Sequence, residues 1–292
     1  MRIACLEAEK YQLLDDPETL LAALRKCGPR IDLFTFLQKL PSNLRGSTQV
    51  TRTFHDYSME WDNLAVLSIS TFDQWWTKQV DNKTRNMVRK SEKKGVVLRE
   101  VPFSFELVKG ICEIYNECPL RQGRRFPHYG KDVDTVHKEE ATFLDSSVFI
   151  GAFLDKKLIG FIKLVTDETR TQAGTMNILS LARERDKAPT NALVAQAVRS
   201  CAERRISYLV YSSFAYGRKH TSTLGDFKER NGFQRIDLPR YYVPLSLAGN
   251  LAFRLGLHRR LVDHIPESMA AKLRELREAW YNRRFKTATE AL

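Results

Sequence analysis

The chain has 292 residues, 43% hydrophobic and 28% charged, the balance of an ordinary folded protein and not of a disordered or collagenous one. Its 47 Lys and Arg against 35 Asp and Glu leave a net charge of +12, and its longest uncharged stretch, Tyr241 to Phe253, is too short for the about 20 apolar residues of a membrane-spanning helix. Glu7 and Glu9 stand where a secretory leader needs an apolar run, and five cysteines without a CxxC pair read as reduced thiols, so a cytoplasmic location is expected.

The charge is concentrated. Lys78 to Arg99 holds eight basic and two acidic residues, and Ser246 to Leu292 holds nine basic and five acidic ones. Two local patches suit a phosphorylated substrate, an anionic membrane surface or a tRNA end; a surface built to hold a DNA duplex would spread its charge more widely, so no specific DNA binding is expected.

In chain order, Pro17 to Cys27 predicts a helix stopped by Gly28-Pro29, and Ile31 to Leu37 a strand. Asn63 to Ser70 predicts a short buried strand, and Thr71 to Val80 a helix. A basic helix over Lys83 to Lys94 ends at Gly95, a residue suited to the left-handed turn that closes helices. Val96 to Val101 reads as a strand and Ser104 to Cys118 as a helix ended by Pro119. A loop from Leu120 to Asp132 leads to a helix at Val133 to Leu144. Three strands follow, Ser147 to Leu154, Leu158 to Val165 and Thr171 to Leu181, the first two joined by a tight turn at Asp155-Lys156. A helix over Pro189 to Arg204, begun by Thr190 or Asn191, precedes a strand at Ile206 to Ser212. A short helix, Leu224 to Asn231, is stopped by Gly232, and two strands, Phe233 to Leu238 and Tyr241 to Leu245, are separated at Pro239.

This order of elements resembles the GNAT N-acyltransferase fold over about Leu64 to Leu245. DFKERNGF (Asp226 to Phe233) is similar to the late GNAT helix with its Gly-Phe exit, and to a stretch of Fem-type peptidoglycan aminoacyltransferases; KTRNMVRKSEKKGV (Lys83 to Val96) is similar to the basic helix of Fem-type proteins. The resemblance implies an α+β fold with a mixed, mostly antiparallel sheet splayed between its fourth and fifth strands and flanked by helices. It divides the chain into a partial N-terminal GNAT-like region (1–80), an acyltransferase domain (81–245) and a basic helical tail (246–292). It also implies transfer of an acyl or aminoacyl group to an amine of an envelope-related or small-molecule acceptor.

One departure bears on the donor. Acetyl-CoA-using GNAT enzymes bind pyrophosphate on a glycine-rich turn after the fourth strand. Here that turn, Ala182 to Ala192, has no glycine and carries Glu184 and Asp186 beside Arg183, Arg185 and Lys187. Fem-type proteins also lack the signature, so the donor stays open between acetyl-CoA or another acyl-CoA and an aminoacyl-tRNA.

Acyl transfer to an amine needs a donor aimed at the developing oxyanion and a route for the amine proton. Lys228, in the Phe-Lys pair, is the candidate for the first role. Asn191, at a helix start, is placed either to hold a donor oxygen or simply to cap the helix. Arg121, Arg124, Arg125 and Tyr129 make a loop suited to gripping a phosphate or carboxylate in two-point contact. No acid lies on Thr171 to Leu181, so His128 and Tyr216, with Tyr129 and His220, are the substitutes for the proton-transfer role. No metal-binding, Walker or Ser-His-Asp spacing is present.

In the tail, Leu247 to Val262 pairs leucines with arginines, and after Pro266 the residues Met269, Leu273, Leu276 and Trp280 fall on one helical stripe. Two outcomes are open: the tail completes the core of the N-terminal region, or it lies on an anionic inner leaflet. Beside the Fem-like reading stand an ordinary acetyl-CoA-dependent N-acetyltransferase and a non-catalytic module that binds anionic lipid or RNA.

Overall fold

The structure, a computed structural model, describes residues 1–8, 10–26, 31–44, 46–121, 124–215 and 223–259, with residues 269, 272, 273, 275–277, 279 and 280 of the tail. The first part of the chain supplies β1 (Ile3–Cys5), β2 (Leu13–Leu14), α1 (Glu18–Lys26), β3 (Leu33–Gln38) and β4 (Ser58–Ser68). Strand β4 is longer than its hydrophobic signal. Only Leu64 to Leu67 are buried, and the polar half before them is held by pairing with a strand that comes more than 160 residues later.

After α2 (Phe72–Gln74) the backbone widens into a π-helical turn over Trp75–Gln79, where the sequence predicts plain α-helix. The fully buried Trp75 explains the wider turn: its indole N–H donates to the carbonyl of Asn231 at 2.9 Å. Asp81 caps α3 (Asn82–Lys93) by accepting from the N–H of Thr84, and Gly95 closes the helix at φ +79°. Ser104 and Asp132 cap α4 (Phe105–Tyr115) and α5 (Val133–Glu140) in the same way, with β5 (Val97–Val101) preceding α4. The segment expected as an open loop contains a small hairpin, β6 (Leu120–Arg121) with β7 (Arg124–Arg125). Strands β8 (Ser147–Leu154) and β9 (Lys157–Thr166) meet at Asp155 and Lys156, both at positive φ, the backbone that a two-residue hairpin turn needs. Then come β10 (Gln172–Ser180), α6 (Pro189–Glu203), β11 (Tyr208–Val210), α7 (Thr223–Arg230), β12 (Gln234–Pro244) and α8 (Leu247–Arg254).

One ten-stranded sheet runs β1-β3-β12-β4-β11-β10-β9-β8-β5, with β2 paired to β3. Pairing is antiparallel except at β1–β3, β2–β3 and β10–β11. The late strand β12 lies between two early ones, β3 and β4. It is continuous through Pro239, which corrects the expectation of two strands. Asp237 N–H donates to Thr48 O, so by alternation the Pro239 nitrogen points to the same edge, and there the ladder with β3 starts only at Arg240. The missing N–H therefore costs no ladder bond. The largest buried cluster lies around β8, β9, α4 and α6, and two smaller clusters lie around β3, β4 and β12.

Candidate active site at the parting of two strands

Strands β10 and β11 pair only over Gln172–Gly174 and Tyr208–Val210; beyond that, β10 continues against β9 alone, with a bulge between Thr175 and Asn177. A residue of the N-terminal region sits where they part. The Tyr11 ring fills the place of a Cβ at Gly174 (2.3 Å), and its hydroxyl donates to the carbonyl of Thr175 at 2.6 Å. Meanwhile β11 is drawn to β4: Tyr211 N–H donates to Ala65 O and Ala65 N–H to Ser212 O, which leaves Ser212 in the left-handed region at φ 49°.

At the end of β11 stands Lys228. Its helix is braced by the Trp75–Asn231 bond and ends at Gly232, φ +86°. The Lys228 side chain is fully buried, its ammonium donates to the carbonyl of Ser213, and it lies 4.8 Å from the centre of the Tyr211 ring. Burial pushes its pKa down to about 8.

At the end of β10 stands Arg121. Its guanidinium donates to the carbonyls of Ser180 (2.8 Å) and Ile114 (2.9 Å), and it stacks on Phe126. Ser180 also bonds through its hydroxyl to Thr190 in the first turn of α6. That helix begins at Pro189 with Ala188 as its cap, so the expectation that Thr190 or Asn191 begins it is corrected: Asn191 is the third helical residue and half-buried. Proline suits a first helical position because its missing N–H has no intrahelical partner to lose. The structure thus sets Lys228 and Arg121 at the ends of the two parting strands, with Asn191 beside the second.

Arg124 and Arg125 are exposed on β7, and Tyr129 is 43% exposed. His128 is more enclosed. Its ring lies tilted against Tyr115 with ring centres 4.3 Å apart, and Lys131 Nζ lies 3.2 Å from its Nδ1. Burial, aided by the Lys131 charge, holds its pKa below the ordinary histidine value. Tyr216 and His220 lie outside the described residues.

A sheet parted beside a helix start in this order has known counterparts. No protein-family model and no curated protein matches the sequence. Among solved structures, the chain is similar to FemX at a TM-score of 0.57 and 12% identity, over 85% of this chain and 84% of that one. It is similar to the C-terminal domain of a protein assigned as a lysylphosphatidylglycerol synthetase from Agrobacterium fabrum (0.50, 16%, over 81% and 75%). A third is L-PGS from Bacillus licheniformis (0.50, 14%, over 78% and 74%). The fold is GNAT-like.

In this GNAT-like cleft the turn after β10 departs from an anion-binding one. It is a 3-10 helix over Ala182–Lys187, and the N–H groups of Ala182 and Arg183 both donate to the Glu117 carboxylate, at 2.5 and 3.1 Å. Nothing in the spacing of Glu117 from residues 182 and 183 marks this pairing, and nothing marks Tyr11 either. A second buried group did leave a trace. Lys163 and Asn177 interrupt apolar strands, and they gather around Glu140, which is fully buried at the end of α5. Glu140 Oε1 accepts from Tyr115 (2.7 Å) and Asn177 (2.9 Å), while Lys163 donates to the carbonyls of Glu140 and Thr142. Burial raises the pKa of Glu140 and lowers that of Lys163.

Proposed function

We propose that the protein is a Fem-like acyltransferase that moves an acyl or aminoacyl group from an ester donor to the amine of an envelope-related or small-molecule acceptor. The observation that carries this is the fully buried Lys228 ammonium at the end of β11, beside the parted strands, held on a backbone carbonyl and an aromatic face. A protein does not bury a lysine cheaply, and a fixed cation in a low-dielectric cleft is what a developing oxyanion needs. In the reaction the acceptor nitrogen attacks the ester carbonyl, a C–N bond forms, and Lys228 stabilises the negative charge on the carbonyl oxygen. The C–O bond to the leaving group then breaks, and that oxygen takes up the proton released by the amine. His128, kept neutral by its surroundings, and Tyr216 are the groups assigned to carry that proton.

An aminoacyl-tRNA is favoured over acetyl-CoA as donor because Glu117 already occupies the two turn N–H groups, which leaves a pyrophosphate facing a carboxylate. Arg124 and Arg125 are assigned to the acceptor, since their exposed guanidinium groups suit an anionic one. The donors of Arg121 serve the fold as well, fastening the hairpin to β10.

The test is transfer of radiolabelled amino acids from total charged tRNA into extracted lipid and cell-wall precursor fractions. Lys228→Met is expected to lower kcat by about 10²–10³-fold with little change in KM. Label transfer from acetyl-CoA and from no charged tRNA overturns the donor assignment, and a wild-type rate in Lys228→Met overturns the role of the lysine.

A further inference from the structure

Helix α8 begins with Ser246, whose hydroxyl accepts from Gly249 N–H (3.0 Å) and donates to the Asp32 carboxylate (2.7 Å). At 100° per residue, Gly249, Ala252 and Phe253 share one face, and Leu247, Leu251 and Leu255 share the opposite one with Arg254. The first face is pressed on the sheet. A Cβ at Gly249 would lie 1.8 Å from the Asp32 carbonyl oxygen, Ala252 is 5% exposed, and Phe253 stacks on His258. Contact that close fixes the rotation of the helix, so its leucines have no route into the core. They are left outside: Leu247 is 91% exposed, Leu251 60%, Leu255 62% and the following Leu257 61%. In the tail, Met269 (53%), Leu273 (56%), Leu276 (67%) and Trp280 (51%) are also exposed at helical spacing.

We propose that α8 and the tail stripe form a docking surface for an anionic lipid bilayer, with the leucines entering the headgroup boundary and Arg254 facing acidic headgroups. Two observations choose this occupant. The segment from Ser246 onward carries nine basic against five acidic residues, which complements a negative surface. In addition, Leu247, Leu251 and Leu255, with Leu257 after the helix, are exposed beside the exposed Arg254, the pairing of apolar and basic side chains that an interfacial helix uses. On such a surface charge attraction supplements the shallow insertion of the leucines. The inference concerns location only and does not rest on the acyltransferase reading.

The test is co-sedimentation of the full chain with vesicles of 70% phosphatidylcholine and 30% phosphatidylglycerol, and with phosphatidylcholine alone. Binding is expected to the mixed vesicles, with weaker binding as salt is added, because surface charge is screened within about 8 Å at physiological ionic strength. Leu247→Ser/Leu251→Ser/Leu255→Ser is expected to lose binding at least tenfold while keeping the wild-type melting temperature, since these side chains touch solvent. Arg254→Glu is expected to weaken binding and flatten its salt dependence. Wild-type protein left in the supernatant, equal binding to neutral vesicles, or undiminished binding by the triple leucine variant each overturns the proposal. So does a dimer in sedimentation equilibrium that the triple variant abolishes, which would assign the surface to a second copy.

Discussion

Replacing Lys228 by methionine removes a buried cation while keeping a chain of similar length, and its effect on stability follows from the structure. Burial lowers the lysine pKa from 10.5 to about 8. A shift of that size corresponds to about 3 kcal/mol of cost for holding the charge inside at neutral pH. Methionine relieves this cost. It also leaves the Ser213 carbonyl without the ammonium, worth about 1–3 kcal/mol, and removes the contact with the Tyr211 ring, worth about 0.5–2 kcal/mol. The variant is therefore expected to unfold within about 2 kcal/mol of wild type at pH 7. Between pH 8 and 10.5 the unfolded lysine binds a proton that the folded one has released, so wild-type stability rises with pH by up to about 1.4 kcal/mol per unit. The variant lacks this gain, and its deficit should grow by about 3 kcal/mol across that window. Urea denaturation followed by circular dichroism at pH 7, 8, 9 and 10 reads the difference directly, since groups common to both proteins cancel. A difference that stays constant over the series would show that Lys228 is solvated, and the oxyanion role would lose its physical basis. In catalysis the same titration should appear as a fall of kcat above about pH 8 in wild type.

Asp62 lies between Lys10 (2.5 Å) and Arg240 (2.9 Å); burial raises its pKa, but the two cations more than reverse this and hold it below the ordinary carboxylate value. Asp62→Asn is expected to cost about 2–3 kcal/mol in urea at pH 7, with the gap to wild type closing as pH falls from about 4 through the lower folded value, where the unfolded chain binds a proton that the folded carboxylate has not yet taken up. Gly249→Ala should drive a methyl into the Asp32 carbonyl and lower stability by about 1–3 kcal/mol in thermal unfolding, whereas Asn250→Ala, on the exposed side of the same helix, should change it by under about 0.5 kcal/mol.

The amino-acid sequence by itself determined those elements whose instructions are local. Apolar spacing placed α4 and α6, and a glycine at position 95 and a proline at 119 marked helix ends. The Asp155-Lys156 turn joined two apolar runs into a hairpin, and with these in order the resemblance to a splayed GNAT sheet was already legible. Lys228 and Arg121 were legible too, as residue types in short motifs.

What neither spacing nor composition carries is a contact between distant segments, because its free energy exists only once the chain has closed the loop. Tyr11 at Gly174, Glu117 on the Ala182 turn, Asn231 on Trp75 and the insertion of β12 between β3 and β4 are of that kind. Burial is decided the same way. The motif names Lys228 but cannot say whether its helix faces water, and the packing of α7 against Trp75 puts the charge inside. The leucines of α8 show the reverse case: their stripe would suit a core, and the Gly249 contact with Asp32 turns it outward.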